Sequence, residues 1–141
     1  MQALKLPEFD IIVKDHSVFC MVRKKWVVLT PEEWVRQHFI NLLVNHLGYP
    51  KGMMKLEHSM TYFKNLKRSD ITVMDKDSGI FMLVECKAAT VPIDQKTVNQ
   101  IGEYNKVLNA RYLVVTNGLR HFLWEKEDQV FVQIQNFPSF S

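Results

Sequence analysis

The sequence is poor in residues that break or staple a chain. Five glycines and five prolines in 141 residues exclude a collagenous, low-complexity or disordered polypeptide. Two cysteines, Cys20 and Cys86, lie far apart with no CxxC pair, which excludes a disulfide framework and a cysteine zinc site. A reduced, cytoplasmic setting is the expectation. No stretch approaches the roughly 18 apolar residues of a membrane span, and the acidic start, Met1 to Asp15, has no secretory apolar core. The five histidines show no zinc-protease spacing. Charge of one sign is also scarce: 18 Lys and Arg against 15 Asp and Glu leave +3, too little to define nucleic-acid binding by itself. What remains is 47% hydrophobic and 11% aromatic, material for one core at the length of one domain. The expected organisation is a β extension over 1–29, a core over 30–125 and a last strand with a loose tail over 126–141.

Phe9 to Val13 and Val18 to Leu29 read as an N-terminal hairpin turning near Arg23-Lys24-Lys25. Thr30-Pro31-Glu32-Glu33 joins a Thr N-cap, Pro at the first helical position and a Glu three residues after the cap. Val35, Phe39, Leu42, Leu43 and Leu47 follow at helical spacing until Gly48-Tyr49-Pro50. Strands are expected over Leu56 to Phe63, Ile71 to Met74 and Ile80 to Ala88, the last two joined by the turn Asp75-Lys76-Asp77-Ser78-Gly79. Asp94 to Asn109 predicts a second helix with Val98, Ile101, Asn105 and Leu108 inward. Tyr112 to Thr116, a two-residue turn at Asn117-Gly118, His121 to Glu125 and Val130 to Gln135 complete the chain. The order αβββαβ, with a hairpin at each end, predicts an α/β fold whose central mixed sheet is flanked by helices.

Alternation along the third core strand places Phe81, Leu83, Glu85 and Lys87 on one face and Met82, Val84, Cys86 and Ala88 on the other. Ionised groups on an otherwise apolar face are costly unless paired, solvated in a cleft or bound to metal. Hairpin pairing sets Asp70 opposite Val84 or Glu85. Two carboxylates there raise each other's pKa unless a cation sits between them, and hard oxygen ligands suit magnesium or manganese. Lys87 lies two residues along to orient or help deprotonate a water, so the group outlines a phosphodiester-hydrolysis site. Lys64, Lys67 and Arg68 before Asp70, with Lys51 and Lys55, would give a positive rim that steers a polyanion.

Asp70 followed by Glu85-Cys86-Lys87 resembles the PD-(D/E)xK nuclease superfamily, and Gln100 with Tyr104 matches its Gln-x-x-x-Tyr motif. Thr30 to Gln37, Arg68-Ser69-Asp70-Ile71, Val84 to Lys87 and Thr116-Asn117-Gly118 together look like the N-terminal nuclease domain of type I restriction enzyme R subunits. The resemblance covers about Arg23 to Trp124. It implies a restriction-endonuclease-like core and a magnesium-dependent DNA endonuclease. Asp70, Glu85 and the Cys86 backbone carbonyl would hold the metal, and Lys87 would place the water. Gln100, with Tyr104 beside it, would orient catalytic groups or the DNA backbone, and the basic Lys67 and Arg68, with Tyr104, are the expected DNA contacts. A Glu on the first helix joins the metal in that family. Helical phase favours Glu32, which shares a face with Val35 and Phe39, over Glu33, the natural capping partner of Thr30. Ser69 stands where the superfamily name has Pro. The chain has no GxxxxGK[ST] phosphate loop, so translocation on DNA is not expected of it. Other restriction-modification subunits or a second copy are the implied partners, with no membrane. The rival readings are a non-catalytic module that binds nucleic acid or docks to such a partner, and a structural domain with a metal-stabilised hairpin.

Overall fold

The computed structural model describes residues 1–59 and 68–141, with the backbone alone described at positions 58, 59, 68, 69, 104 and 107. Near the N-terminus, β1 (Val13–Lys14), β2 (Ser17–Cys20) and β3 (Lys25–Val28) form an antiparallel sheet in that order. The expected hairpin is therefore three strands, and Phe9 to Ile12 precede the first of them. Asp15 and His16 both take positive φ, 49° and 61°. Paired left-handed residues are what a tight type I′ turn requires, and here they occur without glycine, which hid the turn in the sequence.

The first helix, α1 (Pro31–Asn41), starts where the capping residues say it should, with the Glu33 N–H donating to Thr30 Oγ1 at 3.0 Å. It runs on as one π-helical turn over Leu42–His46. Gly48, at φ +73°, ends it.

The main sheet contains β4 (Met54–Ser59), β5 (Arg68–Met74), β6 (Ile80–Cys86), β7 (Tyr112–Thr116), β8 (His121–Glu127) and β9 (Val130–Ile134), adjacent in chain order. The part of the expected first core strand over 60–63 lies outside the described residues. All neighbours are antiparallel except β6 and β7, which run parallel because α2 (Gln95–Leu108) carries the chain back across one face. Asp94 caps the start of α2 through the Thr97 N–H. At the other end Asn109 turns left-handed, while buried Asn105 accepts from the Ala110 N–H and donates to the Ala110 carbonyl. This clamp sets where β7 begins.

Each face of the sheet has its own apolar layer. Val35, Phe39 and Ile40 of α1 and Leu43 of its π-helical turn pack with Ile71, Val73, Met82, Val84, Cys86 and Val114. On the other face Ile101 of α2 packs with Leu83, Ala110, Leu113 and Val115. Strict alternation fails at one point. A register shift between Val73 and Met74 leaves Phe81 as an extra residue between the pairs Met74↔Ile80 and Val73↔Met82. Such a bulge breaks the alternation, and Phe81 packs on the α1 side with Tyr49 and Tyr112 instead of beside Leu83.

Two further expectations change. The β7–β8 connection has four residues, not two, because Thr116 pairs with His121. Asn117 Oδ1 accepts the N–H groups of Leu119 and Arg120, an Asx turn that replaces the type I′ geometry. The tail after β9 is docked, since Phe137 and Phe140 pack against Phe39, Tyr49 and Phe81, and Tyr49 Oη donates to the Pro138 carbonyl at 2.5 Å. Its two phenylalanines find apolar surface that the sheet edge alone leaves open.

Candidate functional site

The β5–β6 turn is closed by Asp75, whose Oδ1 accepts the N–H groups of Asp77 and Gly79 at 2.8 Å each. A Cβ at position 79 would come within 2.6 Å of Asp75 Oδ2, so any larger residue there must displace the carboxylate that closes the turn. The turn pairs Met74 with Ile80, and the bulge at Phe81 then shifts the register by one residue so that Ile71 pairs with Val84. One step beyond that pair the strands bring Asp70 and Glu85 to the same end of the sheet. Asp70 Oδ2 accepts the backbone N–H of Cys86 at 2.6 Å, and Lys87 Nζ stands 3.5 Å from Glu85 Oε1. The Lys87 N–H donates to the Thr116 carbonyl of β7 at 2.8 Å, which holds the segment past β6 in line with the sheet. The Asp70, Glu85 and Lys87 side chains remain 23%, 22% and 28% exposed. They border solvent at the rim of the core.

The two acids share an electrostatic problem. Burial pushes the Asp70 carboxyl up, and the Cys86 N–H and the Arg36 charge only partly offset it, while Glu32 adds repulsion. Burial raises Glu85 as well, followed by repulsion from Asp70, with Lys87 opposing. Both shifts mean that the folded chain resists carrying two negative charges here, a state that a cation relieves.

Glu32 and Glu33 divide differently from the sequence expectation. Glu32 is exposed at the start of α1, lines a cavity of about 290 Å³ together with Asp70 and Cys86, and acts electrostatically on both Asp70 and Glu85. Glu33 supplies its N–H to Thr30, but its carboxylate is no capping partner. It is buried and accepts from Arg23 Nη2, Arg36 Nε and Nη2, and Gln37 Nε2. Burial alone would raise its pKa, yet these donors bring it down to about 2. Arginine partners outbid the backbone for this carboxylate.

The remaining expected residues are less gathered. Gln100 is exposed on α2 and makes no hydrogen bond with Asp70, Glu85 or Lys87. The backbone of Tyr104 continues the same helix, but its side chain lies outside the described residues, as does that of Arg68 at the start of β5. Lys64 and Lys67 lie outside them altogether. Lys51 and Lys55 are exposed. Among the described residues no three His, Cys, Asp or Glu side chains converge closely enough to form a side-chain metal cage.

Sequence reasoning missed Arg36, Gln37 and Glu57. Arg36 is buried beside Asp70, and Glu57 of β4, held at a left-handed φ of 55°, lies 3.4 Å from Arg36. The signal was present for the helix residues: Glu33, Arg36 and Gln37 recur at i, i+3 and i+4, a polar patch on the face that carries Phe39 and Ile40 inward.

The family model of the type I restriction enzyme R protein N terminus (HSDR_N) matches residues 31–138, from the first residue of α1 to the docked tail. The chain belongs to this family. A solved fragment assigned as an HsdR subunit of a type I restriction enzyme from Vibrio vulnificus YJ016 has the same fold, with a TM-score of 0.52 at 16% identity. The alignment covers 71% of this chain and 22% of that one, so the HSDR_N chain spans about a fifth of its structural relative. No curated protein matches it. Among the described residues of this HSDR_N domain, no helix is long and apolar enough to cross a membrane.

Proposed function

We propose that this HSDR_N chain is a magnesium- or manganese-dependent DNA endonuclease domain with a PD-(D/E)xK site, hydrolysing phosphodiester bonds as part of a type I restriction system. The observation that carries the reading is the pairing of Asp70 and Glu85 at one sheet end, both with raised pKa, beside Lys87.

The donor set fits a hard divalent cation. Around the cavity and the adjoining strand end, the five carboxylates of Glu32, Glu33, Glu57, Asp70 and Glu85 face the three cations Arg23, Arg36 and Lys87. Two negative charges are left over when all are ionised, the charge that one divalent ion balances. Asp70, Glu85 and the Cys86 carbonyl would hold it, and Glu32, which lines the same cavity without converging on them, would have to turn in from α1 to join. Oxygen donors of this kind select magnesium or manganese over softer metals. Such an ion supplies Lewis-acid polarisation of a phosphoryl oxygen and of the attacking water. The Lys87 ammonium orients that water and stabilises negative charge developing on the phosphate, an effect strengthened by the partly buried setting. Gln100 and Tyr104 would line the approach of the DNA backbone, and Lys67 and Arg68 would attract it. Phosphate contacts would supply affinity without sequence choice. In a restriction system the other subunits would supply site recognition and translocation.

A supercoiled-plasmid assay with millimolar magnesium or manganese tests this. The native chain should nick or linearise the plasmid, and Asp70→Ala and Lys87→Ala should leave it intact. A native chain that binds DNA yet cleaves nothing with either metal would favour a non-catalytic module on the same fold.

A further inference from the structure

Arg36 is 8% exposed, on the inner side of α1, and its guanidinium faces two ways. Nε donates to Glu33 Oε2 at 3.0 Å and Nη2 to Glu33 Oε1 at 2.5 Å, a two-pronged pairing that stops the fork from rotating. Glu33 is itself held. Arg23 reaches Oε1 at 2.8 Å from the turn of the N-terminal sheet, and Gln37 donates to Oε2 at 2.9 Å from the next turn of α1. The remaining nitrogen, Nη1, lies 3.5 Å from the Asp70 backbone carbonyl and 3.8 Å from Asp70 Oδ1. Glu57 Oε1 sits 3.4 Å from Nη2 on the open side.

A counter-charge for Asp70 needs none of this. A lysine at the rim would supply it without burying a guanidinium, which carries a desolvation cost of several kcal/mol. Locking the cation first to a second carboxylate, and then presenting its free edge to both the main chain and the side chain of Asp70, fixes a direction. Asp70 is the last residue before the apolar part of β5, and the groups that set its carboxylate rotamer are the Cys86 N–H on Oδ2 and the Arg36 guanidinium beside Oδ1.

We propose that Arg36 is a positioning residue of this site: Glu33 holds the guanidinium, and the guanidinium holds Asp70 so that Oδ2 stays on the Cys86 N–H and Oδ1 is left free of backbone donors. The consequence for a metal rests on the endonuclease reading above, whereas the effect on Asp70 does not.

The test uses the 141-residue chain with two readouts, the amide proton shift of Cys86 in proton–nitrogen spectra and the affinity for Mn²⁺ by calorimetry without DNA. Arg36→Lys keeps the charge and loses the fork. Positioning predicts that the Cys86 amide proton moves upfield as its charge-assisted bond loosens, and that Mn²⁺ affinity falls by about tenfold or more, the range for losing a residue that orients a ligand. Glu33→Asp, which withdraws the anchor by one methylene, should give both changes and serves as the second variant if Arg36→Lys does not fold. An unmoved Cys86 amide with Mn²⁺ affinity within about twofold of native, against that tenfold expectation, overturns the proposal. So does an Arg36→Met chain that binds Mn²⁺ more tightly with Cys86 unmoved, the behaviour of a bare counter-charge. A native chain that binds no Mn²⁺, while Arg36→Lys still moves the Cys86 amide, removes the metal reading and leaves the positioning role standing.

Discussion

The Asp70 carboxylate accepts the Cys86 backbone N–H at 2.6 Å, so the side chain of one strand stands in for the ladder partner that the next strand has lost at its end. The bond ties an acid of the site to the strand that carries Glu85. Orienting the carboxylate and ending the pairing of β5 with β6 are one interaction.

Asp70→Asn should separate chemistry from folding. Asn Oδ1 still accepts the Cys86 N–H, and removing one of two repelling charges relieves Glu85. We expect a metal-free melting temperature equal to or above native at pH 8 and, on the endonuclease reading, plasmid cleavage reduced by at least about a hundredfold through loss of a proposed metal ligand. Thermal melts and nicking assays on one preparation check both.

Raised acid pKa values give the pH dependence a definite sign. For Asp70 and Glu85 the folded pKa lies above the unfolded one, so their contribution to stability is fully present below the ordinary carboxylate range and is lost as pH rises through the raised values. The metal-free chain should lose this part of its stability between acid and neutral pH. Magnesium should then stabilise it far more at pH 8 than at pH 5, because binding competes with protons. Melting temperatures with and without magnesium at the two pH values measure the difference.

Glu33 behaves in the opposite sense. Its folded pKa is lowered to about 2, so its contribution is present above the ordinary glutamate value and lost as pH falls toward the folded one. Glu33→Gln should cost about 3 kcal/mol at pH 7, as an upper estimate from that shift, and much less near pH 2. Urea unfolding at both pH values gives the two numbers.

The tail contributes to the core. Phe140 touches Tyr49 and Phe81 but remains partly exposed, so Phe140→Ala should cost about 2 kcal/mol, below the range for a fully buried ring. Denaturant unfolding of the variant tests it, and an unchanged midpoint would show that the docked tail adds nothing.

Local chemistry was legible where neighbours in sequence are neighbours in space. Thr30-Pro31 started α1, Asp94 and Asn109 bounded α2, and the Asp75 to Gly79 turn joined β5 to β6 at the pair Met74↔Ile80. The extra residue at Phe81 was not legible, because a bulge depends on which partner strand closes the ladder. Neither was the docking of Phe137 and Phe140, whose surroundings come from α1, β6 and the loop at Tyr49.

The sequence alone determined the order of the core elements, the mixed sheet and the strand end at which acids and an amine meet, since capping, turn chemistry and alternation act within a few residues. Only the tertiary structure decided which helix glutamate is bound up by arginines and which faces the cavity. That choice depends on Arg23, ten residues earlier, arriving from another sheet to meet Glu33 and Arg36. Side-chain periodicity places a residue on a face of its own helix and contains nothing about which charge the rest of the chain will bring against that face.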